Sequence, residues 1–222
     1  MIVTLLFLSV LMAVFLGWLL LQSFNVSPWV AQSESSAHPR HLPAVFTAPR
    51  VGLAVFLAVV TSLFALTISA YNMRMQMGTD WRSLSEPALL WVNTGILVLG
   101  SIALQWAWGA ARRGNRQSLM LGMAVGGGCT IAFIVGQYLV WQQLGAAGYY
   151  LTANPANAFF YMMTALHAVH LLGGLGAWAM TMLRVSRGAE PSEVRASVEL
   201  CAVYWHYLLL IWVILFGLVL ST

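Results

Sequence analysis

The sequence has very little charge and no lysine at all. Only 7% of its 222 residues are charged; the ten basic residues are all arginines, and six residues are acidic. A water-soluble domain carries about 25% charged residues, so this composition excludes that class and indicates an integral membrane protein. The arginines cluster at the ends of apolar stretches, which argues against a nucleic-acid partner and for contacts with lipid headgroups.

Cysteine is almost absent as well. Cys129 and Cys201 both fall inside apolar stretches of the chain. Two such residues form neither a disulfide framework nor a zinc-binding pattern. We therefore expect both to be small apolar side chains that fill space between helices.

What the sequence does contain is apolar runs long enough to cross a bilayer, which takes about 20 helical residues. We predict an all-α integral membrane protein with six transmembrane helices, one N-terminal helix plus a five-helix bundle. The first run lacks a basic leader and is longer than the core of a signal peptide, so we expect an uncleaved anchor. The predicted spans are 2–23, 50–73, 87–108, 118–144, 156–183 and 197–220.

The predicted domains follow from these spans. Residues 1–24 form the N-terminal transmembrane helix, residues 25–49 a polar cytoplasmic linker, and residues 50–222 the bundle. Eight of the ten arginines fall in the first, third and fifth loops. The positive-inside rule places those loops in the cytoplasm, so both termini are expected outside.

Uncharged polar and small residues within the spans predict contacts between helices. Asn93, Thr94 and Gln137 are expected to make interhelical hydrogen bonds, each worth about 0.6 kcal/mol. Small residues four positions apart let helix backbones approach closely. Two pairs show this spacing: Gly122 with Gly126, and Gly173 with Ala177, the second pair with Gly174 and Gly176 beside it.

Four ionisable residues lie at membrane depth in the last two spans: His167, His170, Glu199 and His206. Charged groups cost about 2.5–3.5 kcal/mol there and are functional candidates by default. They could ligate a haem or metal, relay protons through Glu199, His206 and His170, or tie helices together and hold a lipid headgroup. No cysteine or carboxylate completes a metal shell near His167 or His170, so we predict no metal site. We expect His170, Glu199 and His206 to form one buried polar cluster.

An ordered set of motifs resembles subunit III of the haem–copper (cytochrome c) oxidases. The motifs cover residues 50–220 in order, across five consecutive spans. They are Arg50-x-Gly52-x3-Phe56, Leu89-Leu90-x2-Asn93-Thr94, Phe159-Phe160-x3-Thr164-x2-His167-x2-His170, and Glu199-x4-Tyr204-Trp205-His206 followed by Trp212.

The resemblance implies a non-catalytic subunit with no catalytic, cofactor-binding or metal-ligating residue of its own. Oxidase subunits I and II would be its partners and would carry the haem and copper. This chain would bind phospholipid and support the stability and proton uptake of subunit I, in the bacterial inner membrane, with both termini periplasmic. The residues expected to serve that role are His167, His170, Glu199, Trp205 and His206.

Two departures from the family pattern indicate a divergent member. Many members have a glutamate where Val60 stands and an acidic residue where Leu209 stands. These losses favour a scaffolding or lipid-holding role over proton transfer by this chain. The alternatives are the third subunit of a quinol oxidase, an accessory protein of a nitric oxide reductase, a free-standing transporter, and a haem-binding electron carrier.

Overall fold

The computed structural model describes residues 48–77, 81–82 and 87–221. Regular structure within these residues is entirely helical, and all five helices are long and apolar enough to cross a membrane. The all-α class is confirmed, and each helix overlaps one predicted span of the bundle. The predicted N-terminal helix, and the linker up to residue 47, lie outside the described residues. The helices are α1 (Ala48–Met77), α2 (Leu89–Arg112), α3 (Arg116–Ala146), α4 (Pro155–Ser186) and α5 (Pro191–Leu220).

Local residue chemistry sets the tight connections between helices. Asn115 caps α3, and its side chain accepts a hydrogen bond from the Ser118 backbone N–H at 3.0 Å. The preceding Gly114 has φ of 71°, a left-handed conformation that glycine adopts without strain. Gly188 has φ of 103° between α4 and α5, and Pro191 then starts α5, where its missing N–H costs nothing.

Helices α2, α3, α4 and α5 form the centre of the bundle, each packed most closely against two of the others, while α1 contacts α4 and α5. The predicted close approach at Gly122 and Gly126 is confirmed. An added Cβ at Gly122 would lie 2.9 Å from the Ala103 carbonyl oxygen, and one at Gly126 would lie 2.6 Å from Leu104 Cγ. Glycine therefore lets α3 pack directly on α2.

Of the second predicted small-residue face, the pair Gly173 and Ala177 does not make the contact, whereas the neighbouring Gly174 does. Both residues of the pair are exposed, and open space surrounds Gly173. The close approach is at Gly174, where an added Cβ would lie 2.5 Å from Tyr204 Cε1. Successive residues of a helix point in directions about 100° apart. Gly174 can therefore face the interior of the bundle while Gly173 faces outwards.

Helix α1 lies at the side of the bundle and is mostly exposed. Val60 and Phe64 pack against Met163 of α4 and Ile211 of α5. Its other faces expose large apolar side chains, such as Leu66 at 72%. Exposed apolar surface of this kind is what a helix in contact with hydrocarbon requires.

Candidate functional site

His167 lies at the centre of the bundle. The side chain is fully buried, and its ring is 5.8 Å from that of Phe133 on α3 and 5.2 Å from that of Trp212 on α5. Neither ring nitrogen has a hydrogen-bond partner among the described residues. The histidine is therefore held by aromatic packing from two neighbouring helices.

Tryptophan–threonine hydrogen bonds join the helices around His167. In each pair the indole N–H donates to the threonine hydroxyl, and that hydroxyl donates to the carbonyl four residues earlier in its own helix. The indole N–H and the threonine O–H, both uncharged groups, therefore each have an acceptor. The pairs are Trp141–Thr164 (3.1 Å, α3 to α4), Trp205–Thr130 (2.7 Å, α5 to α3) and Trp212–Thr94 (2.9 Å, α5 to α2).

Trp205 and Thr94 are among the predicted site residues, but their hydrogen bonds to Thr130 and Trp212 were not predicted. A usable signal was present, because a tryptophan buried in an apolar span needs an acceptor for its N–H. Trp205 and Trp212 are seven residues apart and so share one face of α5. The threonine hydroxyls of the spans are uncharged acceptors of the kind these tryptophans need.

Two other predicted helix-packing residues, Asn93 and Gln137, are buried without hydrogen bonds. Neither amide has a partner among the described residues. Asn93 of α2 lies directly against the backbone of Gly136 on α3, where an added Cβ would overlap its amide. Asn93 therefore fills space between α2 and α3, whereas Thr94 makes the interhelical hydrogen bond.

His170 connects the bundle to α1. Its Nδ1 lies 2.7 Å from the Leu166 carbonyl oxygen, and its ring packs 5.5 Å from Phe64 and 6.4 Å from Phe56. The Tyr204 hydroxyl of α5 donates to the His170 carbonyl oxygen at 2.9 Å. Val60, at the position of the family's glutamate, is buried on the same side of α1.

Glu199 pairs with Arg50 at one end of the bundle. One guanidinium nitrogen of Arg50 lies 2.9 and 3.0 Å from the two carboxylate oxygens. The two side chains are 38% and 27% exposed. This contact ties the start of α1 to α5.

His206 is exposed on the side of α5 that faces away from His170, where it contacts α2. Its Nδ1 is hydrogen-bonded to the Ser101 hydroxyl, and its Nε2 lies 2.9 Å from Gln105 Oε1. Ser101 is buried, whereas Gln105 and His206 are exposed. Both imidazole nitrogens therefore have partners at the outer surface of the bundle.

The expected cluster of His170, Glu199 and His206 is replaced by three separate contacts. No hydrogen bond, ion pair or ring contact among the described residues joins any two of the three. The reason is angular: Tyr204 points towards His170, and His206 follows two positions later, a rotation of about 200° around α5. A proton relay through these residues has no continuous path in this arrangement.

The two alternatives of a metal site and a transport path gain no support from the described residues. No group of three or more His, Cys, Asp or Glu residues could hold a metal there. On α1, the hydroxyls of Thr61, Ser62 and Thr67 each donate to the carbonyl four residues earlier. Such hydroxyls do not form the continuous polar face that a transport path needs.

Comparison with known proteins gives a consistent family of relatives. Residues 2–221 match a family model described as Cytochrome c oxidase subunit III. A "Probable cytochrome c oxidase subunit 3" of Mycobacterium tuberculosis (strain ATCC 25618 / H37Rv) is 26% identical and covers 76% of this chain and 85% of that protein. The "Cytochrome c oxidase subunit 3" of Corynebacterium diphtheriae is 29% identical, covering 75% and 84%. That of Thermostichus vulcanus is 29% identical, covering 76% and 84%.

Proposed function

This chain belongs to the cytochrome c oxidase subunit III family, and we propose that it is the non-catalytic third subunit of a haem–copper terminal oxidase. Membership of the family implies assembly with other oxidase subunits. In this proposal, subunits I and II hold the haem and copper that reduce oxygen. This chain stabilises the complex and supports proton uptake by subunit I.

The observation that supports this proposal is that polar side chains within the spans form hydrogen bonds inside this chain, many of them between its helices. The tryptophan–threonine pairs join α2, α3, α4 and α5, and the Thr61 hydroxyl of α1 bonds both to the Leu57 carbonyl of its own helix and to the Tyr207 hydroxyl of α5. His170 and His206 likewise contact neighbouring helices. Polar groups engaged in helix–helix contacts are typical of a supporting subunit, because a catalytic site needs groups left free to meet a substrate.

We further propose that phospholipid lies along α1, with its phosphate near Arg50. The exposed valines Val51, Val55 and Val59 provide an apolar surface for acyl chains. Arg50, partly exposed beside Glu199, stands at the end of that surface. A planar guanidinium binds phosphate oxygens in bidentate fashion, which a lysine does not.

The location proposed for the chain is the bacterial inner membrane. Its proposed orientation has the carboxyl terminus on the periplasmic side. The antiparallel helices bring seven of the nine described arginines to the end of the bundle that holds the Arg50–Glu199 pair. An excess of arginine marks the cytoplasmic side. The amino terminus, also predicted to be periplasmic, lies outside the described residues.

Purification from native membranes tests the oxidase assignment. An affinity tag on this chain should bring down haem-containing subunits, seen as visible haem absorption and identified by mass spectrometry. An untagged strain is the control. Oxygen uptake with reduced cytochrome c or with quinol, and nitric oxide consumption, would identify the type of complex. Recovery of the chain alone, without any haem-containing subunit, would contradict the proposal.

Lipid analysis of the purified complex tests the phospholipid site. Arg50→Gln should lower the number of phospholipids retained per complex, counted by mass spectrometry. Arg82→Gln is the matched control, because Arg82 is exposed and lies outside the arginine-rich end of the bundle. Equal lipid retention in the two variants would argue against a phosphate contact at Arg50.

A further inference from the structure

An exposed polar pair lies on the outer surface of the bundle between α2 and α5. Gln105 and His206 are both exposed, and exposed apolar side chains lie one turn away from each of them on the same helix. Polar groups surrounded in this way by lipid-facing side chains are unusual. The apolar neighbours include Ile102 at 59%, Val203 at 46% and Leu210 at 56%, and Trp106 beside Gln105 is 43% exposed.

The Gln105 amide has N–H donors that no described residue accepts from. Gln105 Oε1 can only accept, so the imidazole Nε2 carries the hydrogen of that 2.9 Å contact. In the neutral ring, Nδ1 then accepts from the Ser101 hydroxyl. The Gln105 amide nitrogen has two N–H donors, and no described residue accepts from it. Turning the amide by 180° would keep a bond to His206 only in the other imidazole tautomer, and it would still leave one Gln105 N–H without an acceptor among the described residues.

The depth of the pair makes the unused donors costly. Gln105 lies seven residues from Arg112, and His206 lies seven residues from Glu199, each a distance of about 10 Å along its helix. The charged residues belong at the headgroup level, so the amide faces hydrocarbon. Hydrocarbon offers no acceptor, and an unsatisfied polar group there costs several kcal/mol.

We propose that the surface formed by Ile102, Gln105, Trp106 and His206 docks a transmembrane helix of a neighbouring oxidase subunit. That helix would present a hydroxyl, side-chain carbonyl or carboxylate oxygen to the Gln105 amide. A helix is the fitting occupant because it satisfies its own backbone in lipid and has apolar side chains for Ile102 and Val203 to meet. The inference rests on the proposed function, which supplies the partner subunits.

Photo-cross-linking in the intact complex tests the docking surface. p-Benzoylphenylalanine in place of Trp106 should form a covalent adduct with another oxidase subunit after illumination. The same residue in place of Tyr138, exposed on α3, is the matched control and should not give that adduct. Three results would overturn the proposal: a Trp106-site adduct with a second copy of this chain, with its own residues 1–47, or with phospholipid alone.

A paired substitution measures the hydrogen bond itself. Gln105→Leu should raise the fraction of this chain lost from the complex in detergent about threefold, the effect of one interhelical hydrogen bond. Gln142→Leu, at an exposed glutamine near the end of α3, should leave that fraction unchanged. Equal losses from both variants would contradict the proposal. Haem-containing subunits should co-purify in either case, so their absence would instead count against the proposed function.

Discussion

His167 on α4 and His206 on α5 have opposite surroundings. His167 is fully buried between aromatic rings, and neither of its nitrogens has a partner among the described residues. His206 is exposed at the outer surface, and both of its nitrogens are hydrogen-bonded. In a water-soluble protein the exposed ring would rely on solvent and the buried one on protein partners.

The membrane accounts for this reversal. Lipid supplies no hydrogen-bond partners, so an exposed histidine must find them within the protein. A ring that faced lipid would have no hydrogen-bond partner there either, so burial inside the bundle costs His167 no hydrogen bond. Burial adds ring contacts with Phe133 and Trp212. The centre of this bundle is therefore organised by shape and aromatic contact, and its outer surface by hydrogen bonds. Substitutions at the centre of the bundle and at its outer surface test this contrast.

The largest expected effect is at the packed centre. Gly127→Ala would place a Cβ within the indole ring of Trp178, whose N–H donates to the Met123 carbonyl oxygen. Overpacking of this kind costs about 1–3 kcal/mol of unfolding free energy. Unfolding in mixed micelles with increasing SDS, followed by tryptophan fluorescence, measures it. Gly128→Ala has open space and should be nearly neutral. Similar losses from both variants would mean that the centre is not close-packed.

The second prediction compares the two histidines directly. His206→Leu removes two hydrogen bonds and should destabilise the protein by about 1.2 kcal/mol, at about 0.6 kcal/mol for each bond. His167→Leu loses ring contacts with Phe133 and Trp212 but also removes two buried nitrogens without partners among the described residues. The two effects oppose each other, so the loss should be smaller than for His206→Leu. The same SDS titration measures both variants. A greater loss for His167→Leu than for His206→Leu would reverse the contrast.

The third prediction concerns one tryptophan–threonine pair. Trp205→Phe keeps an aromatic ring but removes the N–H that donates to Thr130, and should cost at least about 0.6 kcal/mol. Trp91→Phe is the control, since Trp91 is 59% exposed and its indole N–H has no hydrogen bond to a described residue. If the two substitutions cost the same, the indole hydrogen bond contributes nothing to helix packing.

The smallest effect is expected at the Arg50–Glu199 pair. Both side chains are partly exposed, and exposed ion pairs contribute about 0.2–1 kcal/mol. A double-mutant cycle with Arg50→Gln and Glu199→Gln should give a coupling energy near the low end of that range, and added salt should reduce it. A coupling energy that is unaffected by salt would indicate a pair shielded from water.

The positions of the five described helices were largely predictable. A helix that crosses a bilayer needs about 20 apolar residues, and this requirement leaves an unmistakable pattern in the sequence. The direction in which each residue points was not predictable in the same way. The helices are apolar on almost every face, so hydrophobicity does not distinguish the bundle side from the lipid side. This is why Gly173 was expected in a contact that Gly174 makes, and why His170 and His206 were expected to meet.

The sequence by itself determined that this chain is an all-helical membrane protein of the cytochrome c oxidase subunit III family. Its apolar runs, its arginine distribution and the ordered motifs from Arg50 to Trp212 are properties of the chain alone. Only the tertiary structure decided which polar side chains meet. It paired Trp205 with Thr130, left His167 among aromatic rings and placed His206 at the outer surface. The physical reason is that a rotation of about 100° per residue changes the neighbouring helix, and only packing fixes that angle.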